Sequence, residues 1–260
     1  MSLPKTKITT GFLLFTLLFT GLSRSQAQPS RFSAHKYIKN RDTLNYRFLF
    51  PDYDTFRKYP LVVFLHGAGE RGNDNDAQLM WGVMNFATDQ SMLSHPAFVL
   101  APQCPEKTQW ANFTANPANG DIRIAPEPSG TMSLLVQLIH EVIKQNRIDT
   151  NRIYITGLSM GGYGTFDAIM RYPDLFAAAV PVCGGGDTSK ASRIAHLPIW
   201  MFHGADDVVV SPDLSANMTR ALFNAGARPG FTLYPEVGHF AWLAAYSDQN
   251  MMEWLFRQHK

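Results

Sequence analysis

Arg152-Ile153-Tyr154-Ile155-Thr156-Gly157-Leu158-Ser159-Met160-Gly161 sets the fold of this 260-residue chain. Arg152 to Thr156 has the composition of a short buried strand, Gly157 to Gly161 matches G-x-S-x-G, and a helix follows through Met170. A serine at so sharp a strand-to-helix turn takes a strained backbone, and neighbouring chain passes close on both sides. Glycine is therefore needed two residues before it and two after. Gly157 and Gly161 meet that demand. The serine Oγ then stands clear of the sheet, and the backbone N–H of Met160 faces the same point. The plain alternative is a glycine-rich turn around a buried serine, and the presence of a base and an acid further on separates the two.

Working outward, continuous apolar runs at Leu61–Leu65, Ala97–Ala101, Ala177–Val182, Pro198–Phe202 and Phe231–Tyr234 predict strands covered on both faces. Lys36–Ile38 and Leu44–Phe50 predict an antiparallel start to the sheet. Helices are expected over Gln78–Ala87, Met132–Gln145, Pro212–Ala225 and Trp242–Gln258. Gln103 to Ser129, rich in Pro, Asn and Gly, predicts a long ordered loop beside the site. Strands alternating with helices give an α/β chain with a mostly parallel central sheet and helices on both faces. Ligands of such sheets bind at the carboxyl ends of the strands.

A serine hydroxyl needs a base to take its proton and an acid to orient that base. Both are expected after residue 159, acid before base. Asp207 follows the strand exit His203-Gly204-Ala205 and is the candidate acid, with Asp206 as the neighbouring alternative. His239 follows the last strand and is the candidate base. The loop leaving Leu61–Leu65 is expected to supply a second oxyanion N–H, from Ala68 first and Gly69 second. His66 and His203 lie within strand-exit motifs and are expected to hold loops. The histidines show no metal-ligand spacing, and no cofactor is implied. Gly69, Trp110 and Trp242 are candidate substrate-binding residues, and Tyr163 and Phe240 fit a pocket wall or core packing equally well.

Lys5 and Lys7, the apolar run Gly11–Leu22 and Ser25-Gln26-Ala27 together predict an export signal over residues 1–27, followed by a single catalytic domain over 28–260. A dozen apolar residues fall short of a bilayer span, so no stable membrane anchor is expected. Losing Lys5, Lys7 and Arg24 takes the formal charge from +2 to −1. A nearly neutral protein lacks the field that gathers nucleic acid, which leaves a small or polymer-linked uncharged partner. Cys104 and Cys183 follow strands that are not expected to be neighbours, so two buried thiols are expected before a disulfide.

Leu65-His66-Gly67-Ala68-Gly69-Glu70-Arg71-Gly72, Ala101-Pro102-Gln103-Cys104-Pro105, Asp149 to Gly164, Val182 to Asp187, His203 to Asp207 and Tyr234 to His239 together resemble bacterial α/β-hydrolases. The resemblance is to feruloyl and acetyl-xylan esterases, polyhydroxybutyrate depolymerase-like proteins and the dienelactone-hydrolase-like group often labelled predicted peptidases. It implies the α/β-hydrolase fold and a serine esterase with Ser159, Asp207 and His239 as its triad. It also implies an ester substrate, with plant-polysaccharide acyl or feruloyl esters among the candidates. The same machinery would serve an amidase or acyltransferase, and a non-catalytic glycan-binding protein is the alternative outside enzymes.

Overall fold

The computed structural model describes residues 31–51, 54, 56–115 and 121–260; the candidate export segment lies outside them. Among the described residues the strands are β1 (Phe32–Lys39), β2 (Asp42–Leu49), β3 (Tyr59–Leu65), β4 (Phe98–Gln103), β5 (Phe113–Ala115), β6 (Ile122–Ile124), β7 (Ile148–Leu158), β8 (Ala178–Val182), β9 (Trp200–Gly204) and β10 (Gly230–Tyr234). The helices are α1 (Asp89–Ser94), α2 (Gly130–Gln145), α3 (Met160–Arg171), α4 (Asp213–Asn224), α5 (Trp242–Ser247) and α6 (Gln249–Arg257).

Every residue of β3, β4 and β8 is buried, as strands covered on both faces require. They lie within one eight-stranded sheet of order β1-β2-β4-β3-β7-β8-β9-β10. From β4 to β10 every pairing is parallel, while β1 and β2 join as an antiparallel edge. One apolar layer packs α2, α3 and α4 on the sheet through Leu135, Phe166 and Leu222. The opposite layer uses Met92 of α1, Tyr246 of α5 and Leu255 of α6. This is the α/β-hydrolase architecture, with β3, β7, β8 and β9 releasing their loops side by side at one rim.

Three local expectations need correction. Residues 78–87 form two short 3₁₀ turns, Ala77–Leu79 and Val83–Ala87, instead of one helix. Gly82 separates them at φ +74, where a Cβ would sit 2.4 Å from the Tyr246 ring. The expected loop 103–129 carries the β5–β6 hairpin, whose apolar positions are too few to show a period. The expected helix 242–258 breaks at Asp248, which is extended and whose carboxylate accepts from Asn250 N–H to cap α6. Cys104 and Cys183 are both free and buried, after strands that β3 and β7 keep apart.

Candidate active site

Ser159 sits between β7 and α3 at φ 53 and ψ −116, a left-handed backbone that costs a non-glycine residue on the order of 1–3 kcal/mol. The surroundings enforce it. Ser159 N–H donates to Val182 O at 2.9 Å, while Ser159 O accepts from Gly162 N–H at 2.8 Å and Tyr163 N–H at 3.1 Å. A Cβ on Gly161 would lie 1.9 Å from Leu65 O, and one on Gly157 would lie 2.5 Å from Gly161 O. The turn therefore closes only with glycine on both sides. Ser159 is partly exposed, so its hydroxyl is reachable.

The three candidates of the relay converge. His239 Nε2 lies 2.9 Å from Ser159 Oγ, and His239 Nδ1 lies 2.7 Å from Asp207 Oδ2. Asp207 is buried and Asp206 exposed, and Asp207 is the one of the two whose carboxylate meets the imidazole. Asp207 Oδ1 accepts from Val209 N–H and Val210 N–H, both at 2.9 Å. Burial alone would raise this carboxyl, but the hydrogen bonds from Val210, His239 and Val209 outweigh it and hold its pKa below the ordinary value. A carboxylate so held fixes Nδ1 of His239 as the protonated nitrogen. Nε2 is then free to accept the serine proton.

His203 lies under the acid. Its Nε2 is 3.3 Å from Asp207 Oδ2 and 3.0 Å from Val210 O, and its Nδ1 is 2.8 Å from Ser215 Oγ. Burial lowers its pKa, so a neutral imidazole braces the loop that carries Asp207. Cys183, His203 and Asp207 bring sulfur, nitrogen and oxygen atoms within 4.8 Å of one another, the one such cluster found among the described residues. Those atoms are already engaged: the Cys183 thiol donates to His239 O at 3.4 Å.

The loop after β3 is aligned with the elbow because Leu65 pairs with Gly157 across the β3–β7 ladder. Gly67 packs on Leu158, with room for no Cβ: one would lie 2.8 Å from Leu158 Cδ1. Ala68 and Gly69 are exposed and open a short 3₁₀ turn, so their N–H groups have no partner within it. His66 anchors this loop from behind. Its Nδ1–H donates to Gly67 O at 2.6 Å, and Nε2 accepts from Cys104 N–H at 2.9 Å. Burial drives its pKa down to about 4.

Trp110 is not a substrate contact. It is fully buried, donates Nε1–H to His66 O at 3.1 Å and packs against α3 at Gly164. Trp242 is also buried and meets the His239 ring edge-on, with centroids 5.0 Å apart. Ser159 opens instead on a cavity of about 220 Å³ lined by Gln109, Ala111, Phe113, Met160 and Tyr163. Phe113 stacks on Tyr163 with centroids 5.1 Å apart. Sequence reasoning missed Phe113 and Gln109, which lie in the aperiodic stretch. The crowding of aromatic residues at Trp110 and Phe113 was the one available signal.

The sequence profile described as phospholipase/carboxylesterase matches residues 55–253. A thermostable esterase of known crystal structure superposes with a TM-score of 0.82 at 41% identity, covering 89% of this chain; the chain spans 64% of that protein. An acyl-protein thioesterase 1 homologue of Dictyostelium discoideum is 33% identical over 165 residues, 58% of this chain and 71% of its own length. A bifunctional acetylxylan esterase/xylanase of Neocallimastix patriciarum is 37% identical over 76 residues, 29% of this chain and 11% of its own length. A family match over most of the chain coincides with an elbow, a loop and a sheet order that suit acyl transfer to serine. The chain accordingly belongs to the phospholipase/carboxylesterase family and is a carboxylesterase-type serine hydrolase of the α/β-hydrolase fold.

Proposed function

We propose that Ser159 is the nucleophile of an ester hydrolase that works through an acyl-serine, with His239 as general base and acid and Asp207 as its orienting carboxylate. One observation carries this: the unbroken series Ser159 Oγ, His239 Nε2, His239 Nδ1 and Asp207 Oδ2, with links of 2.9 and 2.7 Å. As Oγ attacks the ester carbonyl, Nε2 takes its proton, and the N–H groups of Met160 and Ala68 receive the oxyanion. The tetrahedral intermediate then breaks its bond to the alcohol oxygen, which takes the proton from Nε2 and departs. Water, deprotonated by the same nitrogen, attacks the acyl-serine; the second tetrahedral intermediate breaks its bond to Oγ, which takes the proton back from Nε2, and the acid is released. The cavity at Phe113 and Tyr163 is small and aromatic, and it suits a short or flat acyl group.

The similarity to an acetylxylan esterase supports acetyl esters carried on plant polysaccharide as the substrate class, and the sequence resemblance to feruloyl esterases adds feruloyl esters to it. The basic and apolar character of residues 1–27 supports export to the periplasm or beyond, with a single catalytic domain remaining. The test is one panel of p-nitrophenyl esters, methyl ferulate, acetylated xylan and a peptide p-nitroanilide, run on the full chain and on Ser159→Ala. Turnover of esters by the native chain, lost by a factor on the order of 10⁴ or more in the variant, is expected. Anilide turnover matching the best ester would overturn the proposal in favour of an amidase. Xylan binding with no ester turnover would overturn it in favour of a binding protein.

A further inference from the structure

We propose that Asp187 and the Arg171–Asp167 pair are positioning residues that set where Phe113 stands against Tyr163, and so fix the acyl length that the protein accepts. This rests on the ester-hydrolase function proposed above, in which the acyl group lies in the cavity beside those two rings. Phe113 belongs to β5, and β5 and β6 form a two-stranded sheet of their own, outside the eight-stranded sheet that carries Ser159. Ile122 packs against Gly185, but apolar contact has no direction. The exact place of this wall therefore falls to polar side chains that reach it from the body of the protein.

Two clasps do so. Asp187, buried in the loop after β8, accepts at Oδ2 from Ile124 N–H at 3.1 Å. Its Oδ1 accepts from Ser189 N–H at 3.0 Å, from the Ser189 hydroxyl at 2.6 Å and from Arg123 Nη1 at 3.3 Å. Ile124 is the residue paired with Phe113 across the hairpin. The second clasp is Arg171, whose Nε donates to Asp167 Oδ2 at 2.8 Å. Its Nη1 donates to Pro126 O at 3.0 Å, and its Nη2 to Ala125 O at 2.9 Å and Asn112 O at 3.3 Å. Asn112 directly precedes Phe113 and Ala125 directly follows Ile124, so both clasps close on the rung that holds Phe113.

The side chains of Arg171 and Asp167 are 8% and 1% exposed. Charges so buried are costly to hold, and what a planar guanidinium fork supplies in return is direction: it fixes where three carbonyls sit. Arg171 is the last residue of α3, and Tyr163 stands in the first turn of the same helix. One rigid element thus presents Tyr163 to the cavity and holds the strand that presents Phe113. Among the described residues no hydrogen bond of either clasp reaches Ser159, Asp207 or His239. Loosening a clasp therefore moves the wall and leaves the relay in place.

The test follows the ratio of kcat/KM for p-nitrophenyl octanoate to that for p-nitrophenyl acetate in the full chain. A merely structural role would lower the active fraction and scale both esters alike, leaving the ratio unmoved. Asp187→Ala removes the acceptor of Ile124 N–H; Arg171→Lys keeps a charge beside Asp167 but loses the fork, and serves if Asp187→Ala does not fold. Each is expected to raise the ratio about fivefold or more. Ser189→Ala removes one donor to Asp187 while sparing the bond to Ile124, and should leave the ratio within about twofold of native. Added to Phe113→Ala, either clasp variant should also move the ratio less than about twofold, because the ring through which it acts is gone. Smaller shifts in both clasp variants, a shift in Ser189→Ala matching that in Asp187→Ala, or a full shift in the Phe113→Ala background would overturn the clasps and leave the ester hydrolase standing. No turnover of either ester by the native chain would overturn both.

Discussion

His66 makes the loop after β3 acid-sensitive by an amount that the structure sets. Its neutral ring donates from Nδ1 to Gly67 O and accepts at Nε2 from Cys104 N–H. A second proton would have to enter at Nε2, which faces a donor, and would place a charge on a residue 1% exposed. The folded pKa is accordingly about 4, against an ordinary 6.5. The unfolded chain takes up the proton first, so the contribution is fully present above about pH 6.5 and disappears as the pH falls toward 4. At 1.36 kcal/mol per pKa unit the whole span corresponds to about 3 kcal/mol, of which about 2 kcal/mol is lost between about pH 7 and pH 4.5. Urea unfolding of the native chain and of His66→Gln at those two pH values isolates the effect, because His95 and His203 titrate alike in both proteins. The native chain's advantage over the variant should shrink by about 2 kcal/mol on acidification. An advantage that stays constant across the two pH values would refute the assignment of a neutral, doubly bonded His66.

Three further outcomes follow from the site. Asp207→Asn keeps the shape but frees His239 to adopt the wrong tautomer, so kcat for p-nitrophenyl acetate should fall on the order of 10⁴-fold with little change in melting temperature. Gly161→Ala drives a Cβ into the Leu65 carbonyl and should cost more than about 4 kcal/mol, read as loss of soluble folded protein or of the unfolding transition. Phe113→Ala opens the aromatic slot beside Ser159 and should move the preference among p-nitrophenyl esters toward longer acyl chains, read as the kcat/KM ratio of octanoate to acetate.

The amino-acid sequence by itself determined the strand-turn-helix around Ser159, the alternation that yields a parallel sheet, and the placing of Ser159, Asp207 and His239 at strand ends. Each of these is written in local chemistry: glycine where a Cβ would clash, unbroken apolar runs where both faces are covered, and a polar residue where a strand stops. Tertiary structure alone decided what depends on partners distant in the chain. Asp207 was distinguished from Asp206 only by which carboxylate meets an imidazole 32 residues away. Trp110, plausible as a substrate contact from its loop, turned inward because the His66 carbonyl accepts its indole N–H. Gly82 broke an expected helix because its backbone turns to φ +74, a conformation that glycine alone can take here since Tyr246, far along the sequence, occupies the space that a Cβ would need.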